Sequence, residues 1–196
     1  MEAIFGMRHI ASGTVEVLGK KVNIKKPEDA IDNSIGMITE DRRGTGILGC
    51  LSINDNTAIA SYKNYTNNGV IDQKKVDAVV KDSIQKLNIK TPSGKTLIQS
   101  LSGGNQQKVL LAKWMFAEPD ILILDEVLSV GDAKFRKKSE KKLVDMMDTG
   151  VTVLFVSHNL DQVKRICNKA MILEHGEMKA FGDIDEIAPV YEEMIE

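Results

Sequence analysis

Two short runs constrain most of what this chain can fold into. "ILIL" (Ile121 to Leu124) and "VTVLFV" (Val151 to Val156) are apolar almost from end to end. A strand with one face in water alternates polar and apolar residues. A continuous apolar run reads as a strand covered on both faces, as inside a parallel sheet. A helix from about Ala133 to Met147 falls between the two runs, and another, about Leu160 to Cys167, follows them. Strands alternating with helices call for an α/β domain around a mainly parallel sheet.

Upstream, "GTVEVLGKKVNI" (Gly13 to Ile24) alternates around a Gly-Lys-Lys turn and predicts a hairpin. Pro27 can open a short helix, "PEDAIDN", because its fixed φ suits the first helical turn. "IGMI" (Ile35 to Ile38) is a short apolar strand, and the charged "TEDRRGTG" after it reads as a loop. Ser52 or Asn54 can cap a short helix running to Ser61, and "YTNNG" reads as a loop. From Asp72, Val76, Val79, Val80, Ile84 and Leu87 recur at helical spacing, with "TPSG" as the terminator. Val109 to Ala117 is apolar except for Lys113, which predicts a helix buried nearly all round. A hairpin around "EHGE" and a terminal helix ending "YEEMIE" close the chain.

With 196 residues, 42% hydrophobic and 28% charged, the composition fits one ordinary globular domain. A net charge of −2 gives no global pull toward nucleic acid or an acidic membrane. No apolar run approaches the roughly 20 residues that a membrane span needs, and "MEAIFGMRHI" lacks a signal peptide's apolar centre. Cys50 and Cys167 share no metal or redox spacing and read as free thiols in a reducing cytosol.

Three places carry chemistry. Asp125 and Glu126 end the "ILIL" strand, and ligands of parallel sheets bind beyond the strands' carboxyl ends. Asp125 suits a magnesium ion, and Glu126 suits a general base or water-orienting residue. Equally, both could be a solvated strand end. Ser157 and His158 end the next strand; His158 could contact a transferring phosphoryl group, or the segment could simply cap the following helix. In "LSGGNQQKVLLAKW" (Leu101 to Trp114), Ser102 is a helix cap, and Gly103 and Gly104 leave backbone N–H groups open at a helix end that favours anions. A tight packing contact is the plainer reading.

Taken together, "LSGGNQQ", "ILILDE", "SVGD" and "SH" in this order resemble the nucleotide-binding domain of ABC ATPases. The resemblance implies an α/β, ABC-type P-loop NTPase fold with a small helical subdomain. "LSGGNQQ" resembles the signature, "ILILDE" the Walker B strand, "SVGD" the D-loop, and His158 the switch histidine. It implies Asp125 on Mg2+, Glu126 and His158 in catalysis, and Ser102, Gly103, Gly104, Gln106, Glu40 and Asp132 around ATP. Glu40 stands where many ABC proteins have glutamine, as in simple-sugar importers. The front half is similar to the second cassette of those importers. The segment after Walker B resembles polysaccharide or teichoic-acid exporter ATPases, so cargo and direction stay open at this point. Implied divisions are a helical subdomain at about 47–118, the Walker B to switch-histidine part at about 119–182, and a C-terminal helix at about 183–196. Implied partners are a second ABC ATPase domain, head to tail, and transmembrane permease subunits at the cytoplasmic face of the membrane. No nucleic acid is expected.

A phosphate loop, G-x-x-x-x-G-K-[ST], is not found. Only "SGKT" (Ser93 to Thr96) offers Gly-Lys-Thr; Ile89 stands where the first glycine is needed, and no buried strand leads in. By resemblance, "MEAIFGMRHIASG" matches the end of the helix that follows the phosphate loop, so the domain is expected to be N-terminally truncated. Neighbouring strands should then lack a hydrogen-bonding partner. The chain alone is expected to show negligible ATPase activity and to lend Ser102, Gly103 and Gly104 to ATP held by a partner. "AKFRKKSEKK" (Ala133 to Lys142) reads as a solvated helix face, Trp114 as core, and His9 and His175 as loop residues.

Overall fold

The computed structural model describes residues 1–126 and 133–195. Val15–Val17 (β1) and Lys20–Val22 (β2) form the expected hairpin, but its turn is Leu18 and Gly19, with Lys20 and Lys21 inside the strand. Leu18 and Gly19 both have positive φ, 50° and 75°, the combination whose twist matches that of the paired strands. Pro27–Asp32 (α1) starts on its proline, and Asp29 accepts from the backbone N–H of Lys25 and Lys26, at 2.9 and 3.2 Å. Ile35–Ile38 (β3) is buried throughout.

The segment after β3 differs from the loop expected there. Arg42–Gly46 winds into one wide π-type turn, closed by Ile47 N–H donating to Arg42 O at 2.8 Å. Asp41 sets it up: its Oδ1 accepts from Gly44 N, and its carbonyl accepts from Thr45 N and Thr45 Oγ1. Ser52 caps Ile53–Ala58 (α2), its hydroxyl accepting from Asp55 N at 3.1 Å. A 3-10 segment, Ile59–Tyr65, continues it. "YTNNG", also expected as loop, is part of a tiny hairpin, Thr66–Asn67 (β4) with Val70–Ile71 (β5). Asn68 and Gly69 supply its two positive-φ turn residues.

Asp72 caps Gln73–Lys86 (α3), accepting from Lys75 N at 3.2 Å. This helix stops well before "TPSG", because Asn88 takes a left-handed conformation (φ 49°) that ends it. Gly103–Ala117 (α4) ends the same way at Glu118, ahead of Pro119. Ile121–Asp125 (β6), Ala133–Asp148 (α5), Thr152–Val156 (β7) and Leu160–Ile166 (α6) follow. Lys169–Glu174 (β8) and Glu177–Asp183 (β9) pair around a His175–Gly176 turn, and Ile184–Ile195 (α7) closes the described chain.

β3, β6 and β7 form a parallel sheet in the order β3-β6-β7, with Ile38 opposite Leu124 and Asp125 opposite Val156. β6 is central, and its Leu122, Ile123 and Leu124 are fully buried. β7 departs from the expected buried strand. It lies at the sheet's edge, pairs with no strand on its far side among the described residues, and leaves Leu154 38% exposed. α4 packs against both α2 and β3, and its Val109, Leu110 and Trp114 are part of the core. Gly36 is what lets α4 lie close to the sheet: a Cβ there would stand 2.7 Å from Trp114 Cε3. Among the described residues, no helix is long and apolar enough to cross a membrane.

Candidate functional site

Because β3, β6 and β7 run parallel, their carboxyl ends emerge along one edge of the sheet. Glu40 lies two residues beyond the end of β3 and is exposed. Asp125 is the last residue of β6, and Glu126 comes next. Ser157 and His158 follow β7. Glu126 is held there by its backbone N–H, which donates to Val156 O at 3.0 Å, and it takes a left-handed conformation, φ 51°. For a residue that is neither glycine nor asparagine, that conformation costs roughly 1–2 kcal/mol. Its result is that Glu126 Oε1 lies 3.1 Å from His158 Nδ1.

The His158 side chain is 73% exposed and that of Glu126 34%. A pair this open adds little stability; what it does is fix the histidine. With Glu126 ionised, Nδ1–H is the donor, and Nε2 is the ring nitrogen left for another partner. The capping alternative for this segment is also realised, by Asn159, whose side chain accepts from Gln162 N at 3.1 Å at the start of α6.

The second group surrounds the start of α4. Ser102 occupies the cap position, but its hydroxyl makes no capping bond; it accepts instead from Asn105 Nδ2 at 3.0 Å. The Ser102 carbonyl takes the N–H groups of Asn105 and Gln106, at 2.9 and 3.0 Å. The N–H groups of Gly103 and Gly104 precede any intrahelical partner, and a Cβ on Gly104 would meet open space. Gly103 is covered differently: a Cβ there would lie 2.5 Å from Arg42 Nη2, so the guanidinium rests directly on the glycine. Arg42 Nε is buried with no hydrogen-bond partner.

The residues expected around one ligand thus divide. Glu126 and His158 are in contact; Gly103 meets the loop that carries Glu40, through Arg42. The side chains of Glu40 and Asp125 make no hydrogen bond or ion pair among the described residues. Gln106 faces inward: it is 3% exposed, its Nε2 donates to Ile98 O at 3.3 Å, and its Oε1 has no partner. Its place on the buried face of α4, beside Val109 and Leu110, explains that orientation. Asp132 and the "SVGD" stretch lie outside the described residues. Ser93–Thr96 is a turn, with Thr96 N–H donating to Ser93 O at 3.3 Å and the Gly94 and Thr96 carbonyls accepting from Asn54 and Ile53. No strand leads into it, so it does not cradle a phosphate as a strand–loop–helix would. Trp114 is core, 4% exposed, with Phe5 edge-on at 5.8 Å.

Two residues went unrecognised in the sequence. Arg42 was one charge among the many of "TEDRRGTG". Lys113 was visible as the only charged residue in the Val109–Ala117 run, but its partner was not: Nζ donates to Gly46 O at 2.6 Å, 67 positions away.

Comparison with known proteins places the chain in context. The ABC transporter family model matches residues 1–129. The putative ribose/galactose/methyl galactoside import ATP-binding protein of Halalkalibacterium halodurans is 36% identical over 178 residues, covering 91% of this chain and 34% of that protein. The galactose/methyl galactoside import ATP-binding protein MglA of Clostridium tetani is 36% identical over 95% of this chain and 37% of its own length. The chain spans about a third of the length of the curated relatives it matches. Among solved structures, the ATP-binding cassette MJ0796 in a dimeric post-hydrolysis state bound to ADP and Pi superposes with a TM-score of 0.74 at 16% identity, over 93% of this chain and 78% of that one. CbiO1 of Clostridium perfringens gives 0.71 at 19% identity, over 98% and 74%. These two establish the fold.

Proposed function

The chain belongs to the ABC transporter family, and from that premise we propose that it is part of an ATP-binding subunit that couples ATP to the import of a simple sugar. The observation that carries this reading is the pairing of Glu126 with His158 at the carboxyl edge of a parallel sheet, in a chain that also presents Ser102 and Gly104 at the start of α4. Sugar import is favoured over polysaccharide export because importer relatives align over 91% or more of the chain, which takes in the segment after Asp125. We assign about 47–118 to a helical subdomain, about 119–182 to the Walker B and switch-histidine part, and about 183–196 to a C-terminal helix.

In this proposal Glu126 orients or deprotonates the attacking water. His158, its ring fixed through Nδ1, offers Nε2 toward the transferring phosphoryl group. Asp125 is the residue for magnesium. Such an ion takes one or two carboxylates and fills its shell with water and phosphate oxygens. Bound there, Mg2+ would neutralise charge on the phosphates. Ser102, Gly103 and Gly104 offer N–H groups and a hydroxyl to a phosphate at the positive end of α4.

These 196 residues contain no G-x-x-x-x-G-K-[ST]. A second feature of the reading is that α4 serves ATP whose phosphates are held by another ATP-binding domain, docked head to tail, beside permease subunits at the cytoplasmic face of the membrane. The test is complementation. An intact ATP-binding protein of ribose- or galactose-import type, with its own signature glycine replaced by aspartate, is mixed with this chain. Restored hydrolysis with the wild-type chain, lost with Gly103→Asp, supports the proposal. No restoration, or equal restoration by Gly103→Asp, contradicts it.

A further inference from the structure

α4 carries a lysine, Lys113, between its buried residues Ala112 and Trp114. Lys113 Nζ donates to the Gly46 carbonyl at 2.6 Å and lies 5.5 Å from the centre of the Trp114 ring. Facing it are that carbonyl from the loop and that ring from its own helix; no carboxylate comes within ion-pair distance among the described residues. Burial without a counter-ion draws the lysine's pKa down to about 8. Packing alone gives no reason for a charge here, since an apolar side chain would avoid the cost of burying an ammonium. The charge is held by one acceptor, and that acceptor closes the turn after β3.

The same turn meets α4 again at its other end. Arg42, its first residue, lies on Gly103 in the first turn of α4. Gly46, its last, packs on the helix further along, where an added Cβ would stand 3.1 Å from Leu110 Cδ2. The loop therefore touches α4 at two points spaced along the helix, one of them a charge-assisted hydrogen bond.

We propose that Lys113 is a positioning residue that clamps the loop following Glu40 onto α4, so that this loop and the Ser102–Gly104 end move as one body. The functional meaning of the clamp rests on the reading of Glu40 and Ser102–Gly104 as nucleotide-facing. The clamp itself is tested without nucleotide, so its failure and the failure of that reading are distinguishable. If Lys113 only filled space, Met would replace it with no local consequence. As a clamp, it holds two segments far apart in sequence.

The experiment compares wild type, Lys113→Met and Lys113→Arg as full 196-residue chains, by hydrogen exchange with mass spectrometry and by urea unfolding. Loss of one charge-assisted bond should raise exchange on the order of ten-fold. The expected result is that rise in peptides covering both Arg42–Ile47 and Gly103–Gln106 of Lys113→Met, with the urea midpoint unchanged or higher. Lys113→Arg keeps the charge and should stay near wild type. Unchanged exchange in Lys113→Met overturns the proposal. So does a rise confined to Arg42–Ile47, or one spread over every peptide along with a lower urea midpoint. Should Lys113→Met fail to fold, wild type alone decides. Trp114 is the only tryptophan, and its emission should shift with a midpoint near pH 8 as Nζ loses its charge, with exchange in the two segments, corrected for intrinsic rate, rising together. Flat emission and flat corrected exchange from pH 7 to 9 overturn it.

Discussion

Replacing Gly36 by alanine tests how α4 is seated on the sheet. An alanine Cβ at this point of β3 would stand 2.7 Å from Trp114 Cε3, 3.1 Å from Trp114 Cδ2 and 3.2 Å from Leu122 Cδ1. Neither neighbour is the loose end of a flexible side chain. Trp114 is held by Phe5 edge-on, and Leu122 is fully buried in the central strand. Overpacking of this kind costs about 1–3 kcal/mol. Alanine recovers about 0.5–1 kcal/mol through a less flexible unfolded chain. The net expectation is a loss of about 1–2 kcal/mol, read as a lower urea midpoint at constant slope by far-UV circular dichroism. In a second background, Trp114→Phe, the benzo ring that carries Cε3 is absent. The alanine should then cost less, so the double variant should lose less than the sum of the singles. A Gly36→Ala chain as stable as wild type, or strictly additive losses, would refute the claim that close approach of Trp114 is the reason for this glycine.

Three further outcomes follow. Asn56 is 1% exposed and bonds the Leu48 N–H, the Leu48 carbonyl and the Ser52 carbonyl, at 2.8, 3.0 and 3.0 Å; Asn56→Ala should cost about 2–3 kcal/mol in urea unfolding, and a loss under about 0.5 kcal/mol would mean these bonds do not pin the loop before α2. Lys113 titrates at about 8 when folded and near its ordinary 10.5 when unfolded, so between those values the unfolded chain binds the extra proton. The cost of burying the charge is therefore fully present below pH 8 and is relieved as pH rises toward 10.5, by about 3 kcal/mol at most; wild type should gain stability relative to Lys113→Met over that window, and a gap independent of pH would contradict the assignment. The purified 196-residue chain with Mg-ATP should show no phosphate release above that of Glu126→Gln; clear turnover abolished by that substitution would show that these residues hold the phosphates by themselves.

The readable part of the fold was what local chemistry dictates. The apolar runs of β3 and β6, the Ser52 and Asp72 caps and Pro27 at the start of α1 each carry their reason in neighbouring residues. The β1–β2 turn was misplaced because Leu18 at positive φ is not a residue that announces a turn, whereas Lys20 and Lys21 look polar enough to be one. β7 is as apolar as β6, yet it stands at the edge, because a strand's sequence does not say which neighbours it will find. For the site, Glu126 and His158 were legible as strand ends, but their contact depends on the left-handed turn at Glu126. The inward rotation of Gln106, the guanidinium on Gly103 and the Lys113–Gly46 bond are long-range facts, which no local pattern in the sequence encodes.

The central claim is that the start of α4 faces a phosphate belonging to another domain's ATP. Hydrogen exchange at the amides of Gly103, Gly104, Asn105 and Gln106 measures this most directly, with the chain mixed with an intact, hydrolysis-deficient ATP-binding protein of ribose- or galactose-import type. Protection of these amides that requires both the second protein and Mg-ATP is the predicted result. Exchange that stays the same when the two are added together, or protection by Mg-ATP without the second protein, would contradict it.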